Sequence, residues 1–292
     1  MRAKNWLISQ FPESLFPCRT ELLQQYKDRT INGLQTMQNS SVFICGLARN
    51  IESVIPYTIA RLEQLSSMFK RADIFIYEND SEDKTRDLLV EWECENRNVD
   101  IKDESLGNAK LTQDKSTKRR VDMAYYRNQY LDEFYSRRKY KHYDYLLMFD
   151  MDLKGGFSYE GVANSFGWKD IWDCIGANGL LFRKINNNWE KLFYDSWAFR
   201  RLGHKKEHNG SDINLLDYNR GEPPIRVFSV GSGLLIYKTE SLNGEYYTAE
   251  DCDHPTLNLQ LVDKGKTIWL NPSMITLYSP TYYTEWNLDA HT

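Results

Sequence analysis

The chain has 292 residues, with 41 Asp+Glu against 37 Lys+Arg and a formal net charge of −4. That length buries a proper core as one large α/β domain or as a domain with appendages, and the mild acidity argues against a protein that coats nucleic acid. Five scattered cysteines, Cys18, Cys45, Cys94, Cys174 and Cys252, form no CxxC pair, which favours reduced thiols in a cytoplasmic setting over a disulfide framework or a zinc site.

Residues 1–40 read as an N-terminal extension. Arg2, Lys4 and Glu13 interrupt its apolar residues, so it lacks a signal-peptide core. No run of the chain reaches membrane-helix length; a peripheral membrane contact stays compatible with the sequence. Phe11-Pro12 and Phe16-Pro17 break the extension, and Glu21–Tyr26 reads as a short helix before a polar link, Gln35–Ser41.

Ser41–Leu47 (SVFICGL) is the first strand, with Ala48-Arg49-Asn50 as the turn at its carboxyl end. Ser53 and Pro56 mark a helix start, and Ile55, Ile59, Leu62, Leu65 and Phe69 keep the helical period. Asp73–Tyr77 is the second strand, followed by the acidic turn Glu78–Thr85, a helix carrying Leu88, Leu89 and Trp92, and a third strand over Val99–Lys102. This alternation predicts an α/β fold with a mostly parallel, Rossmann-like central sheet flanked by helices. In such sheets ligands bind outside the carboxyl ends of the strands. Leu106–Arg120, which contains Lys110, Lys115, Lys118 and Arg119, reads as a basic loop; Val121, Tyr125, Asn128, Leu131 and Tyr135 then form a helical stripe that also carries Arg127.

The stretch Tyr143–Leu153 (YDYLLMFDMDL) is the centre of the pattern. Its apolar run predicts a strand buried on both faces. On a continuing strand Asp150 and Asp152 project to one side. Two crowded carboxylates repel and lose hydration unless a cation sits between them. Mg²⁺ or Mn²⁺ suits such oxygens and completes its shell with phosphate and water. The alternative reading is a pair of acids that cap the next turn.

Beyond it, Gly155-Gly156 is a turn, Cys174–Phe182 a strand with a glycine bend, and Phe193–Arg200 an aromatic-rich segment. Arg226–Lys238 reads as a strand or hairpin interrupted by Gly231 and Gly233, Thr256–Val262 as a helix, and Thr267–Leu270 as a late strand closed by Asn271-Pro272. Residues 248–254 (TAEDCDH) place three carboxylates and a histidine together. Aromatic residues make up 14% of the chain; Tyr and Trp faces suit stacking on sugar rings or bases, and equally suit an ordinary core.

Transfer of a group from a diphosphate needs a metal for the leaving phosphates, a pocket for the base and ribose, and a group that handles the acceptor hydroxyl. Asp150 and Asp152 are the candidate metal ligands, with His254 as a third ligand, a base or a structural histidine. The turns after the first two strands would seat a nucleoside, Asp80 accepting from base or ribose donors. Arg127 would screen phosphate charge, unless it is an ordinary surface or interface arginine. Glu250, Asp251 and Asp253 are the candidate general bases.

IYENDSEDKT (Ile76–Thr85), AYYRNQYL (Ala124–Leu131) and YDYLLMFDMDL, in that order, resemble nucleotide-sugar glycosyltransferases of the GT-A fold. The acidic turn, the Arg-Asn helix and YDSWAFR (Tyr194–Arg200) are similar to the capsule-associated mannosyltransferase group and related bacterial and viral enzymes. The resemblance spans about Ser41 to Pro272. It implies a single glycosyltransferase domain over 41–292, with a nucleotide-binding half at 41–152 and an acceptor-binding half at 153–292. Asp150 and Asp152 would be a metal-binding DxD motif, with Arg49, Asn50, Glu78 and Asp80 lining the nucleotide pocket, and the Gly231–Gly233 and Glu250–His254 segments facing donor sugar and acceptor. The implied partners are a nucleoside-diphosphate sugar, Mn²⁺ or Mg²⁺, and a glycan or glycoprotein acceptor in surface polysaccharide or glycan synthesis; nucleic acid is not among them. A rival reading takes Phe149-Asp150-Met151-Asp152 as the nucleophile loop of a haloacid-dehalogenase-type phosphatase, although that loop usually sits on a first strand. Another takes the chain as a carbohydrate-binding relic of the fold.

Overall fold

The structure, a computed structural model, describes residues 11–108, 114–138 and 142–278. The apolar runs become strands of one sheet. Its first half holds β1 (Ser41–Ala48), β2 (Arg71–Asn79), β3 (Val99–Glu104) and β4 (Tyr145–Asp150), and its second β5 (Cys174–Ile185), β6 (Asn188–Phe193), β7 (Arg200–Arg201), β8 (Ile225–Ser229), β9 (Leu234–Lys238) and β10 (Ile268–Leu277). The order is β3-β2-β1-β4-β9-β5-β10-β8-β7, with β6 on β5. Strands β3, β2, β1 and β4 pair in parallel, as do β5 and β10. Strand β9 runs antiparallel between β4 and β5.

The helices in chain order are α1 (Leu23–Gln38), α2 (Ile55–Ser67), α3 (Thr85–Glu95), α4 (Thr117–Arg138), α5 (Tyr159–Gly167), α6 (Gly210–Asn214), α7 (Thr239–Leu242) and α8 (Asp253–Asp263). They cover both faces, so the apolar side chains of the central strands are buried on either side. Ile44 and Leu147 face a core with Leu62, Leu89 and Phe166, whereas their neighbours Phe43 and Leu146 face Tyr130, Phe134 and Leu257. The two-residue period of a strand thus splits one apolar run between two cores. The parallel pairing of β2, β1 and β4, joined through helical crossovers, brings their carboxyl ends to one edge.

Four local expectations change. The extension holds a longer helix than Glu21–Tyr26: α1 packs on α5 so closely that a Cβ on Gly33 would meet the Ala163 carbonyl oxygen at 1.7 Å. Helix α4 begins at Thr117, taking Lys118, Arg119 and Arg120 out of the basic loop. Strands β8 and β9 are not a hairpin, because left-handed Ser232 (φ 56°) and Gly233 (φ 81°) turn the chain to a distant slot in the sheet. Strand β10 passes through Asn271-Pro272, absorbing the proline in a register shift between Asn271 and Ile275, which is where a strand tolerates proline. Arg2, Lys4 and Lys110 lie outside the described residues. Among the described residues no helix is long and apolar enough to cross a membrane, and all five cysteines are free.

Candidate active site at the carboxyl ends of the central strands

The turns after β1 and β2 are knitted into a single rim. Asn50, left-handed at φ 52°, accepts the Glu82 N–H on its side chain at 2.8 Å, and its own N–H donates to Ser81 Oγ at 3.0 Å. The Ile51 N–H donates to Thr85 Oγ1 at 2.7 Å. Glu78 is buried and accepts the Ser81 N–H at 2.8 Å. Arg49 donates to the Asn108 carbonyl at 2.6 Å. Asp80 accepts N–H groups from Leu106 and Gly107, each at 2.8 Å, from Asn108 at 3.3 Å, and from the Asn79 amide at 3.1 Å. Burial works against its charge, but these four donors together hold the Asp80 carboxyl below its ordinary value. The four residues expected at a nucleotide pocket therefore share one rim and shape the 104–108 loop beside it.

Strand β4 ends at Asp150, so Asp152 lies one turn beyond the strand rather than on it. The Tyr278 hydroxyl donates to Asp150 Oδ2 at 2.6 Å, and Arg127 Nη2 stands 3.7 Å from Asp150 Oδ1. Tyr278 in turn stacks on Tyr194, ring centroids 3.4 Å apart. The side chain of Asp152 is open to water, which tempers any shift. Desolvation by its surroundings and then the charge of Asp150 push its carboxyl up to about 6. The charge of Asp150 thus reaches the Asp152 carboxyl.

Arg127 is not a surface arginine. It projects from α4 into the protein, 8% exposed, pairs with Asp253 and donates to the Tyr130 hydroxyl at 3.2 Å. Burial opposes the Asp253 charge, but Arg127 and then His254 hold that carboxyl far below the usual carboxylate range. Asp251 accepts from Arg200 at 2.7 Å, a guanidinium with no exposed surface that also donates to the Trp197 and Phe199 carbonyls. Glu250 is exposed and meets α4 through its backbone carbonyl, 3.4 Å from Arg120. Two of the three expected bases are thus held in ion pairs.

His254 is buried, and burial followed by the charge of Arg127 lowers it to about 4, so it is neutral. Its Nδ1 has no hydrogen-bond partner. Its ring borders Gly231, where a Cβ would lie 2.8 Å from His254 Cδ2 and 2.3 Å from Asp195 Oδ2.

Asp195 was not among the expected site residues. Only its place in the YDSWAFR segment, an acid between aromatics just after a strand, could have signalled it. Its backbone is left-handed (φ 67°), and its carboxylate accepts the Ser232 N–H at 3.1 Å and the Ala198 N–H at 3.3 Å. Burial, with smaller pushes from Asp253 and Asp150, raises it to about 6. Tyr278 was also missed, because the late strand was expected to stop at Pro272.

Four carboxylates, on Asp150, Asp152, Asp195 and Asp253, therefore gather at this edge, where buried Arg127 counters Asp152 and Asp253 and exposed Lys154 also counters Asp152. Low-dielectric surroundings make that surplus of negative charge costly, and the oxygen-rich donor set fits a hard divalent cation. Among the described residues no three His, Cys, Asp or Glu side chains converge closely enough to form a complete cage. Such a cation would take oxygens from the protein and from a phosphate-bearing ligand. Two polar depressions at the opposite end of β4, one beside Asn32 and Gln35 and one beside His142 and Lys238, gather no comparable charge.

The family model for Cryptococcal mannosyltransferase 1 matches residues 41–261. Among solved structures, the mannosyltransferase PcManGT from Pyrobaculum calidifontis, in complex with GDP-Man and Mn²⁺, is 11% identical with a TM-score of 0.50, covering 94% of this chain. This chain spans 62% of that structure's chain. Staphylococcus aureus TarS 1–349 (12% identity, TM-score 0.42) is matched over 84% of this chain and 63% of its own. No curated protein sequence matches. At 11% identity the Pyrobaculum structure shows the fold alone.

Proposed function

Because the chain belongs to the Cryptococcal mannosyltransferase 1 family, we propose that it moves a sugar from a nucleoside-diphosphate sugar to a hydroxyl of a glycan or glycoprotein. Surface polysaccharide or glycan synthesis is the setting this activity fits. The family supports a glycosyltransferase over the phosphatase reading, as does the place of Asp150 at the end of the fourth strand and not the first. The observation that carries the proposal is the carboxylate pair, Asp150 and Asp152, at the carboxyl edge of β4 among further acids.

Asp150 and Asp152 would hold Mn²⁺ or Mg²⁺, which when bound neutralises charge on the leaving diphosphate. The Tyr278 hydroxyl orients Asp150, and Arg127 keeps a fixed positive charge behind it. The rim of Arg49, Asn50, Glu78 and Asp80 frames the side on which a nucleoside would lie. GDP-mannose, the ligand of the Pyrobaculum neighbour, is the first donor to test.

The test is binding of GDP and UDP, with and without Mn²⁺, to the wild type and to Asp152→Asn. The wild type should bind one of them in a Mn²⁺-dependent manner and release it slowly from the matching sugar nucleotide. Asp152→Asn should lose both properties while melting at the same temperature or higher, since it relieves crowding between two acids. Metal-independent binding by both proteins would remove the assignment.

A further inference from the structure

The two acids of the pair are held by different means. Asp150 ends β4, where its N–H donates to the Gly233 carbonyl at 2.9 Å and its carboxylate accepts the Tyr278 hydroxyl. Asp152 has left the sheet, so no ladder of strand hydrogen bonds fixes its backbone, and its side chain faces water. A carboxylate that binds a metal has to be held close to its productive geometry by the groups around it. For Asp152 those groups must lie outside the sheet.

Helix α2 supplies them. Met151 and Leu153, on either side of Asp152, are buried, and buried backbone carbonyls need donors. The Thr58 hydroxyl donates at 2.9 Å to the Met151 carbonyl, in the peptide group that leads into Asp152. Arg61 Nη1 donates to the Leu153 carbonyl at 2.8 Å, and Nη2 to the Lys154 carbonyl at 3.1 Å. The bond that the turn makes within itself, from the Leu153 N–H to the Asp150 carbonyl, is longer at 3.4 Å. Thr58 and Arg61 lie on neighbouring turns of one helix face, and both side chains are buried.

We infer that Thr58 and Arg61 are positioning residues for the metal pair: they fix the backbone before and after Asp152 and so aim its carboxylate at the cation it would share with Asp150. This rests on the glycosyltransferase reading above and deepens it.

Two neighbouring features agree. Gly156 is left-handed at φ 73°, and a Cβ there would lie 2.7 Å from Arg61 Nε, so the glycine turn leaves the room that the guanidinium fills. At its other end, α2 starts from the nucleotide rim. Ile51, whose N–H donates to Thr85, accepts the Val54 and Ile55 N–H groups at 2.8 and 2.9 Å. One helix is thus tied both to the rim and to the turn that carries Asp152.

A purely structural role would satisfy buried carbonyls and do nothing else. Either role lowers the melting temperature when the donors are removed. Only positioning also weakens metal use by the protein that stays folded. Thr58→Val deletes the hydroxyl and Thr58→Ser keeps it. Arg61→Lys keeps the charge, but one ammonium does not reproduce the guanidinium fork.

The measurement is the Mn²⁺ concentration at which GDP binding (or UDP binding, where the wild type prefers it) is half-maximal, taken on the full chain below the melting temperature of every variant. It should rise by about 10- to 100-fold in Thr58→Val and in Arg61→Lys, the usual cost of losing a group that orients a metal ligand. Thr58→Ser should stay within about threefold of wild type, as should Leu65→Ala, a core truncation on the same helix that lowers the melting temperature. Should Thr58→Val not fold, Arg61→Lys carries the test.

A half-maximal Mn²⁺ concentration unchanged in Thr58→Val and Arg61→Lys overturns the inference. So does an equal rise in Leu65→Ala, which would trace the effect to general loosening of the helix. Wild-type binding that depends on Mn²⁺, alongside unaffected variants, removes this inference and leaves the proposed function standing. Wild-type binding that ignores Mn²⁺ removes both.

Discussion

Two aspartates among the described residues share a left-handed backbone, Asp80 at φ 53° and Asp195 at φ 67°, and they have opposite fates. Both follow a strand, and both accept backbone N–H groups from a distant loop. Asp80 has four donors for its two oxygens and is held below its ordinary pKa. Asp195 has two donors, deeper burial and other acids nearby, and is pushed up to about 6. The same residue type on the same backbone builds a loop when its lone pairs are filled, and keeps chemical capacity when they are not. Charge differs as well: Asp80 is held by neutral N–H donors, whereas Asp253 and Asp150, the acids that act on Asp195, lean on Arg127.

That dependence gives the largest expected effect. Replacing Arg127 with leucine leaves Asp253 and Asp150 without their buried cation, and breaking a buried pair from one side costs about 3–5 kcal/mol. Denaturant unfolding of Arg127→Leu should show that loss, and Asp253→Asn in the same background should recover part of it. If Arg127→Leu is as stable as wild type, the cleft is not balanced through this residue.

The next effect is a pH dependence confined to the cleft. The His254 pKa in the fold, about 4, lies below the value of about 6.5 expected when unfolded. Between these values the unfolded chain binds the extra proton, so the stability is present above about pH 6.5 and is lost as pH falls towards 4. The full window amounts to about 3 kcal/mol. Unfolding midpoints at pH 7, 5.5 and 4.5 should fall in that order, and His254→Gln should flatten the trend. An equal slope in the variant would assign the acid sensitivity elsewhere.

How far the sequence revealed this contrast follows from what each half is made of. Strands β1, β2 and β4 are continuous apolar runs, and burial on both faces writes itself into such runs. Their carboxyl-end residues Asn50, Asp80 and Asp150 could therefore be placed together. The Asp195 side is built from turns and long-range pairing. Nothing in the local sequence says that Phe193 ends a strand beside Leu180, that Ser232 sends β9 to lie beside β4, or that Arg200 reaches Asp251 across 51 positions. Nor does periodicity warn that β10 tolerates Pro272 and so delivers Tyr278 to Asp150. Asp251 and Asp253 were visible as acids, but their cations, Arg200 and Arg127, were not. Arg127, read as a phosphate screen or a surface residue, turned out to be the buried counter-charge.

Glycine substitutions sharpen the comparison at intermediate size. Gly231→Ala pushes a methyl group into the space of the Asp195 carboxylate and the His254 ring, an overpacking expected to cost about 1–3 kcal/mol. Turnover should fall further than that loss explains. Gly107→Ala, at φ 67° with no atom within 4 Å of the added carbon, should cost only about 1 kcal/mol, the backbone penalty of a left-handed L-residue. It should leave transfer unchanged. Equal effects of both on turnover would erase the distinction between rim and cleft.

The smallest effect belongs to Asp80. Asp80→Asn keeps one acceptor oxygen and forfeits the charge assistance of its backbone donors, costing about 1 kcal/mol at neutral pH. Because the folded carboxyl is held below its ordinary value, its contribution is present above the unfolded pKa of about 3.9 and is lost only as pH falls through the lower folded value. The penalty of Asp80→Asn should therefore be unchanged between pH 7 and pH 5, where the His254 contribution is already draining away, and should shrink only in stronger acid. Parallel stability curves for Asp80→Asn and His254→Gln across pH 7 to 4 would contradict this separation, since one residue answers to filled hydrogen bonds and the other to an unshared burial.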